Sequence, residues 1–207
     1  MASPNYKNAT FLLSAAKLTQ LPHDSGIEVA FVGRSNAGKS SVLNQLTNNA
    51  KLARVSKTPG RTQHINLFGL DDKRRLVDLP GYGFAKVPEE VKINWQKTLD
   101  KYLSTRECLR GLILVMDIRH PLLEIDRNLL DWASAGGLAV HILLNKADKL
   151  SYSATKATLL TVNEYISSFP NEISCQAFSA TKKTGIKELR EIVDAWFNGK
   201  ILNSPPC

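Results

Sequence analysis

A chain of 207 residues has room for one domain, with or without arms. Hydrophobic residues make up 43% and charged residues 22%, which excludes wholesale disorder and a collagen-like repeat. A chain of this size buries roughly 70% of its extended surface and needs no disulfide or metal staple. Lys and Arg number 27 against 19 Asp and Glu, a net charge of +8, which says nothing about fold but points toward an anionic partner such as nucleic acid.

Cys108, Cys175 and Cys207 are widely spaced, odd in number and without C-x-x-C spacing, so free thiols in a reducing compartment are expected. The apolar run Phe11–Ala16 is too short for a secretory core, and Lys17 interrupts it. No window reaches 18 uncharged apolar residues, so a cytoplasmic protein with no membrane contact is expected.

Residues 1–25 read as an arm with a short amphipathic piece, ending at the Pro22–Gly26 turn signal. Ile27–Val32 is β-branched and aromatic, reads as a strand and stops at Gly33. Ser40–Asn48 reads as a helix through Val42, Leu43 and Leu46, and residues 50–63 as a polar, basic loop broken by Pro59-Gly60. His64–Leu70 and Arg74–Leu79 form a hairpin about the turn 71–73, and Pro80–Gly83 breaks it. Helical spacing then runs from Glu89 to Glu107, followed by the apolar strand Leu112–Met116. A helix over Glu124–Ala135 precedes the strand Leu138–Leu144; a helix over Ala154–Phe169 precedes the strand Ile173–Phe178; Ile186–Phe197 is a last helix. Alternating helices and apolar strands predict an α/β fold: a mostly parallel six-stranded sheet with one antiparallel strand and helices on both faces. Ligands of such sheets sit beyond the carboxyl ends of the strands.

Four motifs fall at such ends. Gly33-Arg34-Ser35-Asn36-Ala37-Gly38-Lys39-Ser40 fits G-x-x-x-x-G-K-[ST] between a strand and a helix, the setting of a phosphate loop. Its backbone N–H groups and the helix N-terminus would face phosphate oxygens, Lys39 would reach the β- and γ-phosphates, and the Ser40 hydroxyl would join Mg²⁺. Asp78-Leu79-Pro80-Gly81 ends the second hairpin strand; Asp78 would hold Mg²⁺ through water, and the Gly81 N–H would sense the γ-phosphate. Asn145-Lys146-Ala147-Asp148 closes another strand. The Asp148 carboxylate would accept from the N1–H and exocyclic amine of guanine, an edge adenine lacks, while the Lys146 stem covers the base. Phe178-Ser179-Ala180 ends the next strand, where a backbone N–H can read guanine O6.

In this order the four motifs resemble a P-loop GTPase of the TRAFAC class. Gly60-Arg61-Thr62-Gln63, Asp78–Gly83, Met116-Asp117-Ile118-Arg119-His120-Pro121 and Trp95 resemble the EngB (YihA/YsxC) family over about residues 5–198. The resemblance implies a Ras-like G domain over 26–198, with a tail at 199–207. It implies a protein that binds GTP and GDP with Mg²⁺, a role in large ribosomal subunit assembly, and a requirement for cell division and septation; a monomer is expected, with slow hydrolysis that its partner stimulates, and the alternative is a nucleic-acid- or ribosome-binding module with little hydrolysis of its own. It places Gly60, Arg61, Thr62, Gln63 and His64 at the nucleotide. Thr62 becomes a Mg²⁺ ligand and, with Lys39, a catalytic residue; Thr58 competes for the same place.

The sequence departs from Ras-like enzymes at Tyr82, which stands where a Gln would orient water. Arg61, or a K⁺ ion held by Asn36 as in some related GTPases, is the expected substitute. Asn36 bonding only within its own turn is the alternative. Trp95, Trp132 and Trp196 lie on amphipathic helices and are expected in or near the core; the four histidines share no metal-ligand spacing; Asp117 ends a strand and more often serves structure than a site. Residues 51–75 carry seven cations against two anions, either a solvated hairpin face or an RNA contact through Arg74 and Arg75.

Overall fold

The computed structural model describes residues 3–53, 64–82 and 89–200, the last without the side chains of 89–96. The strands among them are β1 (Thr10–Ala15), β2 (Ile27–Gly33), β3 (Ile65–Gly69), β4 (Arg74–Asp78), β5 (Leu109–Asp117), β6 (Val140–Asn145) and β7 (Ile173–Ala177). The helices are α1 (Lys39–Thr47), α2 (Glu89–Thr105), α3 (Glu124–Ala135), α4 (Tyr152–Ile166) and α5 (Ile186–Phe197). One sheet runs in the order β1-β3-β4-β2-β5-β6-β7, with β4, β2, β5, β6 and β7 parallel and β3 antiparallel to both its neighbours.

The apolar run of β5 splits between two cores, because successive side chains point to opposite faces. Ile113 and Val115 join Val42, Leu43 and Leu46 of α1 and Leu189, Val193 and Phe197 of α5. Leu112, Leu114 and Met116 join Leu99 and Tyr102 of α2, Leu130 of α3 and Val162 and Ile166 of α4. Fully burying each such side chain stabilises the fold by about 1.5–3 kcal/mol. The helices start where capping chemistry permits: Ser151 Oγ accepts from Ala154 N–H at 3.2 Å to open α4, and Asp126 Oδ2 accepts from Leu123 N–H at 3.1 Å to open α3.

Two expectations are corrected. Among the described residues the sheet has seven strands, not six, because Thr10–Ala15 pairs antiparallel with β3. The period-two signal is missing there: the register slips between Phe11 and Leu13, so Phe11 and Leu12 are both exposed on this edge strand. Second, Arg75 is not a surface cation. It is 8% exposed, and its Nε donates to Glu28 Oε1 at 2.9 Å. Glu28, fully buried on β2, also accepts from Arg106 Nη2 at 2.8 Å, Arg106 Nε at 3.0 Å and the Tyr102 hydroxyl at 2.8 Å. Burial alone would raise its pKa, but these donors hold it below the usual carboxylate value. Arg74 pairs with Asp71 at the hairpin turn. An RNA contact through Arg75 is therefore excluded by geometry. The network instead locks the far end of the sheet, opposite the strand ends that carry the motifs, to the end of α2.

Cys108 and Cys175 are buried free thiols, each pushed up to about 12 chiefly by burial. Trp196 is buried and Trp132 packs half-buried against the core; the Trp95 side chain and Cys207 lie outside the described residues. Among the described residues no helix is long and apolar enough to cross a membrane.

His141 gives a pH prediction. It is fully buried on β6, with Nδ1 2.7 Å from Ser174 Oγ and Nε2 2.9 Å from Gln176 Oε1, and burial lowers its pKa to about 4 from 6.5. The unfolded chain therefore takes up a proton below pH 6.5 that the folded protein refuses until about pH 4. Stability should fall by about 3 kcal/mol across that window. Urea midpoints measured from pH 7 to pH 4 should show this slope, and His141→Asn should flatten it.

Candidate functional site

All four motifs sit at the carboxyl edge of the sheet, at the ends of β2, β4, β6 and β7. The phosphate-loop segment 33–40 leaves β2 through Gly33, where a Cβ would collide with the carbonyl of Val115 on the adjacent strand. Gly38 has φ +100° and caps α1, and a Cβ there would strike Asn145 Nδ2. Asn36 is exposed at φ +64°, a conformation Asn tolerates better than most residues. The loop thus wraps tightly onto its neighbours, while Ser40 sits half-buried in the first turn of α1.

Asp78 ends β4 beside this loop. The Lys39 ammonium donates to its carboxylate, and the two side chains are 10% and 5% exposed. Leu79 N–H donates to Phe31 O at 2.9 Å, and Leu79, Pro80 and Gly81 are all buried. Tyr82 N–H donates to Gly33 O at 3.3 Å and Ser35 N–H donates to Tyr82 O at 2.8 Å, so this segment is stitched to the phosphate loop. The Tyr82 ring turns away from the loop into the core, and its hydroxyl donates to Asp126 Oδ1 at 2.6 Å. Burial first, then Asp126, pushes the phenol pKa well above its usual value.

Asn145 bridges the two halves of the site. Its Nδ2 donates to Ala37 O at 2.8 Å, and its Oδ1 accepts from Ala180 N–H at 3.3 Å. Ala147 N–H donates to Phe178 O at 3.0 Å, tying the β6 and β7 loops together a second time. The Asp148 carboxylate accepts from Ser179 Oγ at 2.6 Å, which holds its pKa below the ordinary range. Its other oxygen lies 3.4 Å from Lys149 Nζ. Lys146, at φ +68°, stretches back across the site: its Nζ donates to Asn36 O at 2.7 Å and to Asp117 Oδ2 at 2.9 Å. Arg119 holds the same carboxylate with Nε at 2.9 Å and Nη2 at 2.6 Å. Arg119 first, then Lys146, keeps Asp117 well below the usual carboxylate range.

The structure therefore brings together 33–40, 78–82, 145–148 and 178–180. His64 stands apart at the start of β3, exposed, with Nδ1 3.2 Å from Ser14 Oγ. Thr58, Gly60, Arg61, Thr62 and Gln63 lie outside the described residues. Among the described residues no group of three or more His, Cys, Asp or Glu is placed to hold a metal ion. Asp117 and Asp126 also bond to this cluster, through Lys146 and Tyr82, contacts that no sequence motif marks. Asp117 sits opposite Asn145 in the β5–β6 register, so its place at the site was readable only once the strands were paired.

A parallel sheet carrying a strand–phosphate-loop–helix unit, with an Asn-Lys-x-Asp turn two strands away, defines a P-loop GTPase. Residues 28–146 match a family model described as a 50S ribosome-binding GTPase. The chain is 54% identical to the probable GTP-binding protein EngB of Enterobacter sp. (strain 638) over 199 residues, covering 96% of each. It is 57% identical to its counterpart in Yersinia pestis (strain Pestoides F) over 194 residues, covering 94% of this chain and 90% of that one. The fold also superposes on a crystal structure of a probable GTP-binding protein engB (TM-score 0.68, 20% identity, 84% of this chain and 100% of that one). A looser match is the Methanococcus maripaludis elongation factor SelB with GppNHp (TM-score 0.62, 15% identity, 86% of this chain and 35% of that one). The chain belongs to the EngB family of GTP-binding proteins.

The Asn145 bridge generates a prediction. Asn145→Ala strands the carbonyl of Ala37 and the N–H of Ala180, at a cost of about 1–3 kcal/mol. Urea unfolding should show that loss. Fluorescent GDP should bind at least about tenfold more weakly, since the base and phosphate loops lose their common brace.

Proposed function

We propose that this GTPase is a guanine-nucleotide switch in large ribosomal subunit assembly, and that cells lacking it fail in division and septation. The observation that supports this best is the Asn145 bridge, which ties the loop that carries Asp148 to the phosphate loop and to the Ala180 N–H. The description of the matching family, a 50S ribosome-binding GTPase, supports a ribosomal partner.

In this reading Gly33–Ser40 surround the phosphates, Lys39 and Thr62 act on the transferring group, and Gly60–His64 close over the nucleotide. Asp78–Gly81 face the γ-phosphate. Asn145–Asp148 and Phe178–Ala180 hold the base, with Asp148 accepting from guanine and the Ala180 N–H reading O6. The donors beside the phosphates suit Mg²⁺: the Ser40 hydroxyl and the Asp78 carboxylate are hard oxygens, and Asp78 is a buried anion that already requires a cationic partner in Lys39. Bound Mg²⁺ neutralises charge on the β- and γ-phosphates. Ser40 and Thr62 would hold it directly and Asp78 through water, leaving Lys39 free for phosphate.

Tyr82 faces the core and takes no part in placing water. Intrinsic hydrolysis is accordingly slow, and the partner speeds it. Asn36, exposed at the loop rim, is the candidate to hold K⁺ against the phosphates, with Arg61 as its rival.

Three measurements test these assignments. Co-sedimentation with isolated 50S subunits should be strong with a non-hydrolysable GTP analogue and weak with GDP; equal sedimentation in both states rejects the switch. Asp148→Asn should lose GTP affinity about a hundredfold and gain xanthosine nucleotides, because the amide donates where guanine also donates. Hydrolysis should run faster in KCl than in NaCl at equal ionic strength, and Asn36→Ala should remove the difference; equal rates leave Arg61 or a ribosomal group.

A further inference from the structure

The segment from the end of β5 into the first turn of α3 carries two carboxylates, each bonded to a residue from a different part of the nucleotide site. At its start, Asp117 holds the Lys146 ammonium, which in turn donates to Asn36 O of the phosphate loop. At its end, Asp126 is 1% exposed and accepts the hydroxyl of Tyr82, the residue that follows Gly81 and shares backbone hydrogen bonds with Gly33 and Ser35. Like the phosphate loop, this segment carries hydrogen bonds both to the Asn-Lys-x-Asp turn and to the segment after β4.

The segment between them is built as a strut. Ile118 is buried, and its N–H donates to Asn145 O at 2.9 Å, extending the β5–β6 ladder into the base loop. Arg119 N–H and His120 N–H fold back onto Asp117 Oδ1 and O, at 3.1 and 2.9 Å. Pro121 fixes the next φ. Leu122 is buried at φ +54°, a left-handed conformation that a branched side chain adopts only when its surroundings impose it, and its carbonyl accepts from Arg127 Nε at 2.8 Å. Leu123 N–H and O both bond to Asp126, at 3.1 and 2.8 Å. A displacement at one end of so constrained a segment reaches the other, because each internal bond resists bending.

We propose that residues 117–126 act as a positioning strut, in which the Tyr82–Asp126 hydrogen bond sets how firmly Asp117 and Lys146 hold the nucleotide. Tyr82 and Asp126 are then positioning residues. The segment that meets the γ-phosphate and the segment that meets the base are coupled through α3's entrance as well as through the phosphate loop. The place of the water-orienting Gln of Ras-like enzymes is given to a residue that anchors rather than reacts. This rests on the assignment of Lys146 and Asp148 to the base, and the Asp148→Asn exchange to xanthosine nucleotides separately reports whether that assignment fails.

The test is a double-mutant cycle on release of mant-GDP, followed by stopped flow on the full chain. Asp117→Asn weakens the hold on Lys146 and should speed release about tenfold. Tyr82→Phe removes one hydroxyl some distance from any nucleotide contact and should speed release threefold or more. The double variant should fall clearly short of the product of the two, because both changes slacken the same strut. Asp126→Asn, which keeps an oxygen for the Tyr82 hydroxyl, should lie between wild type and Tyr82→Phe, and carries the test should the latter not fold. A Tyr82 variant that releases nucleotide at the wild-type rate overturns the proposal, as do single effects that multiply fully.

Discussion

The buried contact between Lys39 and Asp78 is the constraint on which the rest of the site depends. An ammonium and a carboxylate nine-tenths out of water are tolerated only as partners, since either alone would cost several kcal/mol. Their pairing joins the first residue of α1 to the last of β4, and so fixes the phosphate loop against the segment that continues through Gly81 to Tyr82. It also makes the site electrically responsive. Polyanionic phosphate together with a divalent cation offers each partner a replacement, so ligand binding exchanges one buried ion pair for two rather than exposing a charge. That exchange gives a physical basis for a protein whose loops near residues 60 and 81 are read as following the γ-phosphate.

The sheet carries charge at both edges, with opposite consequences. At the amino edge Glu28 gathers Arg75, Arg106 and Tyr102 into a closed cluster that leaves nothing for a ligand. At the carboxyl edge Asp78, Asp117 and Asp148 each accept from a side chain of a neighbouring element, Lys39, Lys146 and Ser179 in turn. The first arrangement fixes the end of α2 and the starts of β2, β4 and β5. The second is built for exchange, and it lies where doubly wound sheets bind ligands.

Much of this was legible in the sequence, for identifiable reasons. The phosphate loop declares itself because Gly33 and Gly38 are required by close approach and left-handed backbone, and Lys39 and Ser40 follow at fixed spacing. The parallel strands declare themselves because both faces are buried, and β5 needs no polar residue between Gly111 and Met116. What stayed hidden depends on long-range pairing. The edge strand Thr10–Ala15 lacks alternation because its register slips at Leu12. Arg75 looked like a surface cation because nothing local distinguishes it from Arg74; only the β2–β4 register, which sets Glu28 beside Arg75, shows that it is buried. Tyr82 and Asp126 are 44 residues apart, and no periodicity links them.

In the proposed switch Asp78 would pass from Lys39 to a water on Mg²⁺ when GTP binds. Isothermal titration of GTP into wild type and Asp78→Asn, each with Mg²⁺ and with EDTA, tests it most directly. The wild type should bind far more weakly in EDTA, and the variant should lose much of that difference because its amide no longer draws in the cation, while Ser40, Thr62 and the phosphates still do. A variant that keeps the full Mg²⁺ dependence of the wild type would contradict the exchange and return Asp78 to a purely structural partner of Lys39.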